Sequence, residues 1–437
     1  MTGASIALLV IFFLLLLTST PIAVALGLAT FAYFFYYTTI PLTQIPDYLF
    51  NALNTFPLMA IPFFIFAANI MSQGGISRRL TEAANAVVGG FRGGLAMTAV
   101  ISCMFFAAIS GSSPATVVAV GTLLIPAMVK SGYSRNFSTG LVTTSGSLGI
   151  LIPPSIPLIV YGIATEQSIG ELFIAGVVPG LFAGALLLGL VIVLSRRRGF
   201  GGEGGDIEIT QMTGRQRVKA FVDAFLSLLL PVLVLGGIYG GIFTPTEAAA
   251  MAVFYALIVS LVFYREIGVK DLPRLAVRSA RTSAMIMFII ANGILFSFVL
   301  TSERIPAEVT QLFLDLNLSW WAFLLVVNIL LLITGAFMET SSALLILAPI
   351  LLPVATQLGI DPVHLGIIMV MNLEIGMVTP PLGLNLFVAS GISGMSVLRV
   401  AKAALPSALV LLFALFVVTY VPDLALAFAE SADPKGG

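Results

Sequence analysis

The feature that most restricts the fold of this chain is a pair of glycine- and proline-rich breaks inside otherwise apolar sequence. The first copy consists of residues 110–114 and 149–154, and the second of residues 339–342 and 376–381. A constant shift of 227 residues relates the glycines and prolines of residues 149–154 to those of residues 376–381, without a gap. Because glycine and proline interrupt helices, the repeat predicts two related halves, each with a broken apolar segment. Such paired interruptions are typical of the binding site of a secondary transporter.

Composition places the chain in a membrane. Hydrophobic residues make up 59% of the 437 residues and charged residues only 9%, against about 25% charged in soluble domains. Apolar runs of about 20 residues recur along the whole length, which predicts an all-α polytopic membrane protein with about ten full spans. A net charge of zero argues against a nucleic-acid partner. The expected spans are residues 4–20, 21–38, 51–72, 137–163, 171–195, 218–242, 245–264, 282–301, 362–390 and 400–421.

Two further regions, residues 94–129 and 319–358, are predicted to form helical hairpins. In the first, each arm has about 15 residues, or about 22–24 Å of helix, which is shorter than the roughly 30 Å hydrocarbon core. We therefore expect the polar tips to lie inside the membrane as re-entrant hairpins. The alternative is a pair of short full spans with an exposed turn, and charge does not separate the two.

The distribution of basic residues predicts the orientation. With the N-terminus outside, the cytoplasmic segments contain 18 of the 20 Lys and Arg residues, and only Arg304 and Lys435 lie outside. In this layout the first hairpin opens to the cytoplasm and the second to the exterior. The two halves therefore form an inverted repeat. No Lys or Arg precedes the first apolar run, so we expect that run to be a retained span rather than a cleaved signal peptide.

The same layout divides the chain into segments. The stretch 196–216 is glycine-rich and charged, which predicts a flexible cytoplasmic linker. Residues 76–89 and 303–316 are amphipathic and precede the two hairpins, so each is expected to be an arm helix at the membrane interface. The predicted segments are first-half scaffold spans (1–73), first-half arm helix, hairpin and transport-domain helices (74–195), linker (196–216), second-half scaffold spans (217–301), second-half arm helix, hairpin and transport-domain helices (302–421) and a tail (422–437).

The chemistry available at the breaks is that of oxygen ligands. Short hydroxyls at the tips and carbonyls freed by the prolines suit a cation such as Na⁺, while N–H groups at helix starts suit a carboxylate. Two carboxylates, Glu339 and Glu374, fall at membrane depth, where either a functional or a structural role is open. Cys103 and His364 are single residues of their types, which excludes a Cys/His metal cluster. We expect His364 to be a surface or turn residue, and no enzyme motif is present.

Five stretches of the sequence resemble one known family, the large membrane subunit of tripartite ATP-independent periplasmic (TRAP) transporters, and its C4-dicarboxylate, DctM-type branch in particular. The resemblance covers about residues 4 to 425. The stretches that carry it are Met-Ala-Ile-Pro-Phe-Phe at 59–64, Gly-Ser-Ser-Pro-Ala-Thr-Val at 111–117, Thr-Ser-Gly-Ser-Leu-Gly-Ile-Leu-Ile-Pro-Pro-Ser at 144–155, Gly-Ile-Phe-Thr-Pro-Thr-Glu-Ala-Ala-Ala at 241–250 and Met-Val-Thr-Pro-Pro-Leu-Gly-Leu-Asn at 377–385.

The resemblance implies a fold, a mechanism and partners. The fold would be an elevator-type transporter, in which a scaffold stays in place and a transport domain containing both hairpins slides across the membrane. The coupling ion would be Na⁺, with no other cofactor. The partners would be a small four-span membrane subunit and a soluble periplasmic binding protein, in the inner membrane of a bacterium. Since the chain starts directly with its first span, we expect the small subunit to be a separate polypeptide.

The resemblance also implies site residues. Many of these residues would act through backbone carbonyls. A first Na⁺ site would use Ser110, Ser112, Ser113, Gly149 and Ile152, a second would use Gly335, Thr340, Ser341, Gly376 and Thr379, and the organic-acid substrate would lie near Ser113, Ser341 and Asn385.

Two functions follow from these observations. The first is the translocation subunit of a Na⁺-driven organic-acid importer that receives substrate from a binding protein. The second is a stand-alone Na⁺/carboxylate symporter or Na⁺/H⁺ antiporter with a related inverted-hairpin architecture. Sialic acid, other sugar acids and keto acids remain open as substrates beside C4-dicarboxylates.

Overall fold

The computed structural model describes residues 3–18, 20–38, 40–198, 212–316 and 318–427. Throughout these ranges the chain is helical, with no β-strand. Nine helices in them, some with an adjoining turn, are long and apolar enough to cross a membrane by length and composition. This agrees with the predicted polytopic all-α class. Three of these nine helices, Ser113–Lys130, Trp320–Phe337 and Thr340–Gln357, are hairpin arms. The ten full spans expected from the sequence did not include hairpin arms, so the two numbers count different sets of helices.

The described residues of the first half form ten α-helices. They are α1 (Gly3–Leu17), α2 (Ile22–Tyr37), α3 (Ile45–Leu53), α4 (Ala60–Gln73), α5 (Ile76–Val88), α6 (Gly94–Ser110), α7 (Ser113–Lys130), α8 (Arg135–Leu148), α9 (Ile156–Thr165) and α10 (Ile169–Arg198).

The second half contains ten more. They are α11 (Gly214–Tyr239), α12 (Pro245–Ile258, continued by a π turn over Val259–Phe263), α13 (Leu272–Ser302), α14 (Ile305–Asp315), α15 (Trp320–Phe337), α16 (Thr340–Gln357), α17 (Pro362–Gly376), α18 (Leu384–Ser393), α19 (Val397–Tyr420) and the short α20 (Asp423–Leu426).

The repeat predicted at a shift of 227 residues is present in the helices. Helix α7 begins at Ser113 and ends at Lys130, and α16 begins at Thr340 and ends at Gln357, so both ends differ by 227. The two Pro-Pro pairs, at 153–154 and 380–381, both contain cis peptide bonds. The breaks fall as predicted, between α8 and α9 in the first half and between α17 and α18 in the second.

The predicted span at residues 51–72 is wrong at its start. The chain there forms α3, an irregular segment and then α4, whereas the matching stretch of the second half is the single helix α13. The irregular residues are Asn54 and Thr55, and Pro57 lies just after them in a 3-10 turn, Phe56–Met59, that leads directly into α4. Proline has no N–H and disfavours helical geometry in the preceding residue, so a helix cannot pass through this point without distortion. The second half has Ala284 at the matching position.

The predicted linker at 196–216 is helical at both ends, because α10 continues to Arg198 and α11 begins at Gly214. Thr213 caps α11: its hydroxyl accepts from the Gln216 backbone N–H, and the Gln216 side chain accepts from the Thr213 backbone N–H. Residues 199–211 and the tail residues 428–437 lie outside the described ranges.

The outer helices of each half pack against helices of the other half. Helices α1 and α2 pack against each other, and α2 packs against α13 of the second half. In the reverse direction, α11 and α12 of the second half pack against α5 and α4 of the first. Glu303, just before α14, accepts hydrogen bonds from Tyr33 (2.6 Å) and Ser5 (2.9 Å) of the first half. The two halves are therefore joined by contacts of their outer helices.

The inner helices form the core around the two hairpins. Arm α7 packs against α8 and α18, and arm α16 packs against α9 and α17. Each hairpin therefore contacts the broken helices of both halves. Large side chains from both halves are fully buried in one continuous cluster, among them Tyr161, Phe173 and Phe323. The Tyr161 hydroxyl donates to the Pro362 carbonyl at 2.6 Å, which ties α9 to the start of α17.

The hairpin arms are slightly longer than expected. Helices α6, α7, α15 and α16 have 17 or 18 residues, or about 26–27 Å of helix. The first tip turns at Gly111, whose φ of 58° is in the left-handed region that favours glycine. The second turns at Met338 and Glu339, both in extended conformations. The hairpins are thus present as folded units, and their depth in the bilayer stays a prediction.

Candidate functional site

Each hairpin tip contacts the break of its own half through the backbone. At the first tip, the Ile156 N–H donates to the Gly111 carbonyl at 3.4 Å. A Cβ atom on Gly111 would lie 3.1 Å from the Pro154 carbonyl oxygen, so only glycine fits without strain. At the second tip, the Gly383 and Leu382 N–H groups both donate to the Ala336 carbonyl, at 3.0 and 3.3 Å. Two equivalent tip-to-break junctions result.

At the first junction the tip hydroxyls are buried and bonded to one another. The Ser110 hydroxyl lies 3.0 Å from the Thr116 hydroxyl and donates to the Ser112 carbonyl at 3.2 Å. The glycine at 149 lies tightly against α6, because a Cβ there would clash with Ala107. The structure therefore brings the first-site residues expected at the tip close to the break that carries Gly149 and Ile152.

The second junction has the same organisation with different side chains. Gly335 and Gly376 touch through their backbones: a Cβ on Gly376 would lie 2.6 Å from the Gly335 Cα. The Thr379 hydroxyl donates to the Ile375 carbonyl at 2.9 Å. The Thr340 hydroxyl, at the first residue of α16, donates to Glu374 at 2.6 Å and also lies 3.2 Å from the Met377 sulfur.

Ser341 points elsewhere. Its hydroxyl donates to Glu339 at 2.9 Å, and Glu339 also accepts from the Ser342 N–H at 3.1 Å. Glu339 is thus the N-cap of α16. Of the two roles left open for this carboxylate, the geometry corresponds to the structural one, because a side-chain oxygen satisfies a free N–H at the start of a helix.

Asn385 joins the two halves at the centre of the site. It is fully buried at the start of α18, and its amide N–H₂ group donates to the hydroxyls of Ser113 and Ser147. The distance to Ser147 is 2.8 Å. Two of the three expected substrate residues, Ser113 and Asn385, are therefore in direct contact, whereas Ser341 is engaged with the cap of α16.

Glu374 lies at the same centre and is only 2% exposed. One carboxylate oxygen accepts the hydrogen bond from Thr340, and the Ser113 hydroxyl lies beside the group. The other oxygen, Oε2, has no partner within hydrogen-bond distance among the residues that the structure describes. Glu374 therefore contacts the first residue of both second arms, α7 and α16. Its position was not assigned from the sequence, although Glu374 and Ser147 are related by the same shift, since 374 − 147 = 227.

Two polar residues of α17 are packed away from the centre. His364 is 2% exposed and its Nε2 atom lies 2.8 Å from the Val418 carbonyl oxygen, so the expectation of a surface or turn residue was wrong. Position 364 is in the first turn of a helix that is buried between α15 and α19, which the local sequence does not reveal. The Asn372 amide donates to the backbone and side-chain oxygens of Asn328, at 3.0 and 2.5 Å.

Outside the spans, an ionic cluster connects arm helix α5 to the loop after α12. Glu266 accepts from Arg78 and from Arg79, each at 2.6 Å, and the Arg79 guanidinium lies 3.7 Å above the Tyr264 ring. Burial raises the pKa of Glu266, but hydrogen bonds and charge from the two arginines outweigh it, so the pKa lies below its usual value. A Cβ on Gly75 would collide with this cluster.

The described part of the chain contains no group of three or more His, Cys, Asp or Glu side chains that could hold a metal ion. A site for a divalent metal of the usual kind is therefore not found there. The residues at the two tip-to-break junctions and at the centre of the site offer neutral oxygen ligands and one buried carboxylate. The neutral ligands are hydroxyls, an amide oxygen and backbone carbonyls. Such a set suits a hard, weakly charged cation.

Comparisons with known proteins identify the family. The family described as "Tripartite ATP-independent periplasmic transporter, DctM component" matches residues 9–424. The "C4-dicarboxylate TRAP transporter large permease protein DctM" of Rhodobacter capsulatus is 47% identical over 427 residues, covering 94% of this chain and 96% of the relative. The protein of the same name from Pseudomonas aeruginosa is 51% identical over 379 residues, covering 87% of each.

A solved structure has the same fold. The Alcanivorax borkumensis YdaH transporter superposes with a TM-score of 0.63, covering 96% of this chain and 98% of the other, at 15% sequence identity. At that identity the likeness extends to the fold alone. The family match covers nearly the whole chain. This chain belongs to the DctM family, the large membrane permease subunits of tripartite ATP-independent periplasmic transporters.

Proposed function

We propose that this chain is the translocation subunit of a Na⁺-coupled importer of C4-dicarboxylates in a bacterial inner membrane. Its partners would be a small four-span membrane subunit and a periplasmic binding protein that delivers the substrate. The tripartite family supports the partners, and the relatives that carry a C4-dicarboxylate name support the substrate. The observation that carries the proposal is the convergence of both tips and both breaks on Ser113, Asn385 and Glu374.

Two Na⁺ sites would lie at the two tip-to-break junctions. Prolines at 153–154 and 380–381 have no N–H, so the carbonyls four residues earlier, at Gly149 and Gly376, cannot receive the usual helical hydrogen bond from them. The Gly376 carbonyl accepts instead from the Thr379 N–H at 2.8 Å, and its second lone pair remains for a cation. The carbonyls of Gly149 and Gly376 support the assignment in this way. Site 1 would consist of Ser110, Ser112, Ser113, Gly149 and Ile152, and site 2 of Gly335, Thr340, Ser341, Gly376 and Thr379.

The substrate would lie between the tips, at Ser113, Ser341 and Asn385. Helices α7 and α16 have their N-termini at the two tips. The partial positive charge of a helix N-terminus favours a carboxylate. A dicarboxylate has one such group for each tip. The hydroxyl and amide side chains would then supply hydrogen bonds that fix its orientation.

Movement of the site would follow the elevator mechanism. The hairpins and broken helices pack against one another, while α1 to α4 and α11 to α13 would form the surrounding scaffold. The arm helices α5 and α14 connect the two parts. Near the start of α5, Arg78 and Arg79 form ion pairs with Glu266. Near the start of α14, Glu303 accepts a hydrogen bond from Tyr33. Such fastened arms would let the inner unit slide while the scaffold stays fixed.

The test is uptake of labelled succinate and malate into proteoliposomes that contain this chain and its small partner. Each run is done with and without the binding protein, and with and without an inward Na⁺ gradient. Uptake that needs both supports the proposal. Uptake without the binding protein would favour a stand-alone symporter, and uptake of sialic acid but not of succinate would overturn the substrate assignment.

A further inference from the structure

Helix α13 carries three arginines on one face. Arg274, Arg278 and Arg281 follow one another at intervals of four and three residues, and all three are exposed. Residues at these intervals lie on the same side of a helix. Among the residues that the structure describes, no carboxylate lies within ion-pair distance of the three guanidinium groups. This face therefore concentrates positive charge that no described carboxylate neutralises.

The positive-inside rule does not account for this arrangement. The rule concerns the number of basic residues on the cytoplasmic side and does not require them to share a helix face. The start of α11, on the same predicted side, carries Arg215, Arg217 and Lys219 at intervals of two residues. Two residues correspond to about 200° of helix rotation, so Arg217 lies on the opposite side from the other two. The alignment on α13 needs another reason.

The same face of α13 continues into an apolar groove. Beyond the arginines, the four-and-three spacing continues through Met285, Phe288, Asn292 and Leu295. Met285 and Phe288 are exposed, at 62% and 53%. Phe288, Asn292 and Leu295 form one wall of a groove of about 280 Å³, and helices α2 and α3 form the others. Charge and groove thus lie on one continuous face.

The groove itself is shaped for an apolar occupant. Leu28 and Phe31 of α2 line it and are each 48% exposed. Asn292 is its polar lining residue, and the amide N–H₂ group of Asn292 donates to the Phe288 carbonyl at 2.8 Å. A Cβ atom on Gly27 would lie 2.5 Å from the Asn292 Oδ1, so a glycine at this position keeps the floor of the groove free of a side chain. At membrane depth, such a groove is complementary to a hydrocarbon chain.

The distance between the charge and the groove matches a phospholipid. At 1.5 Å per residue, Asn292 lies about 16 Å along α13 from Arg281. The acyl chains of one leaflet occupy half of the roughly 30 Å hydrocarbon core, or about 15 Å. A phosphate beside Arg281 therefore has its acyl chains at the depth of the groove.

We propose that this chain binds one anionic phospholipid on this face, with the phosphate among the α13 arginines and an acyl chain in the groove between α2, α3 and α13. Guanidinium groups bind phosphate oxygens in bidentate geometry, and basic pockets at the cytoplasmic end of membrane helices suit anionic headgroups. The lipid contacts both halves of the chain, since α2 and α3 belong to the first and α13 to the second. The site is separate from the hairpin tips and does not depend on the proposed function.

The test counts lipids bound to the purified full-length chain by native mass spectrometry. The chain in detergent is titrated with dioleoylphosphatidylglycerol or with dioleoylphosphatidylcholine, which have the same acyl chains. Phosphatidylglycerol carries a net negative charge, whereas the phosphate of phosphatidylcholine is neutralised by its own ammonium group. We expect one tightly bound phosphatidylglycerol per chain and no comparable phosphatidylcholine. Equal binding of the two lipids would overturn the inference.

The first variant replaces Arg274, Arg278 and Arg281 together with glutamine. Its matched control replaces Arg215, Arg217 and Lys219 with glutamine, which removes the same charge from α11. A basic residue near a membrane surface contributes roughly fivefold in affinity for an anionic lipid, so the α13 variant should bind phosphatidylglycerol about a hundredfold more weakly. The α11 control should bind it as the wild type does. An unchanged affinity in the α13 variant, or an equal loss in both, would contradict the proposal.

The second variant, Leu28→Trp, fills the groove and leaves the arginines in place. We expect it to lose the bound phosphatidylglycerol, whereas Leu229→Trp, at an exposed apolar position of α11, should retain it. Retention of the lipid by a folded Leu28→Trp protein would overturn the placement of the acyl chain.

Two additions to the titration distinguish the lipid from other occupants of this face. Water-soluble glycerol phosphate has the charge without the chains, and displacement of the lipid by an equal concentration of it would show that the arginines bind a free phosphate ester. Loss of the lipid on addition of the small membrane subunit would identify the face as a subunit interface. Either result would overturn the proposal, and retention of the lipid in both supports it. Because the readout is lipid binding, a complex that moves no organic acid leaves this test intact.

Discussion

Replacing Gly376 with alanine should separate α15 from α17 at the second junction. The new Cβ would lie 2.6 Å from the Gly335 Cα, 2.7 Å from the Gly335 carbonyl carbon and 3.0 Å from the Ala336 nitrogen. Favourable contacts between carbon atoms need about 3.5–4.0 Å, so the overlap is about 1 Å. All three neighbours are backbone atoms, and no rotamer change can relieve the clash. The two helices must therefore move apart.

The magnitude follows from the cost of overpacking. Forcing an extra methyl group into a packed interior typically costs about 1–3 kcal/mol. If the cost falls on the conformation that binds Na⁺ at site 2, the Na⁺ affinity should fall by a factor of about 5 to 150, since each 1.4 kcal/mol is a factor of ten. The Na⁺ concentration for half-maximal succinate uptake should rise accordingly.

The control is Gly236→Ala on α11, where a Cβ would meet no atom within 4 Å. Alanine is about 1 kcal/mol better than glycine inside a helix, so this variant should fold at least as well as the wild type and keep its Na⁺ dependence. The assay is a Na⁺ titration of uptake in proteoliposomes, with thermal unfolding in detergent as the check on folding. A Na⁺ affinity within twofold of wild type in folded Gly376→Ala would refute the argument.

Three further predictions concern single contacts. Thr340→Val removes the 2.6 Å hydrogen bond to Glu374. A hydrogen bond to a charged group contributes about 1.5–3 kcal/mol, so Na⁺-dependent uptake should weaken about tenfold or more. Unaltered uptake in a Na⁺ titration would count against this role of Thr340. Ser113→Leu should abolish most Na⁺-dependent uptake while the protein still folds, as checked by gel filtration and uptake. Glu266→Gln should lower the free energy of unfolding at neutral pH by about 0.5–1 kcal/mol. Because the pKa of Glu266 is depressed in the folded protein, this contribution is present at neutral pH and is lost as the pH falls below about 4.5. Melting curves of the variant and the wild type should therefore converge at that pH.

The positions of the breaks could be predicted from the sequence because they depend on local chemistry. Glycine and proline interrupt a helix wherever they occur, so Gly149 to Pro154 and Gly376 to Pro381 marked the irregular segments without any knowledge of packing. The same locality explains the error at Pro57. Our interpretation gave more weight to the length of the apolar run than to the proline, although the chain breaks at Asn54 and Thr55 and the proline lies near the start of the next helical segment.

The centre of the site could not be predicted in the same way, because its contacts join distant parts of the chain. Asn385 meets Ser113 across 272 residues and Ser147 across 238 residues. Local sequence contains no signal for such pairings. The shift of 227 residues did contain one for Glu374, since it pairs that carboxylate with a serine next to the first break. The burial of His364 also depends on neighbours from α15 and α19.

The packing of outer helices across the two halves has a consequence for how the chain is made. Helices α1 and α2 are synthesised before the second-half residues they contact, which include Phe296 in α13 and Glu303 and follow about 270 to 300 residues later. In the absence of those residues, the face of Phe12 that packs on the Phe296 ring has only lipid or other proteins to cover it. Assembly of the first half must therefore wait for the second. The two halves expressed as separate polypeptides should be stable only when they are produced in the same cell.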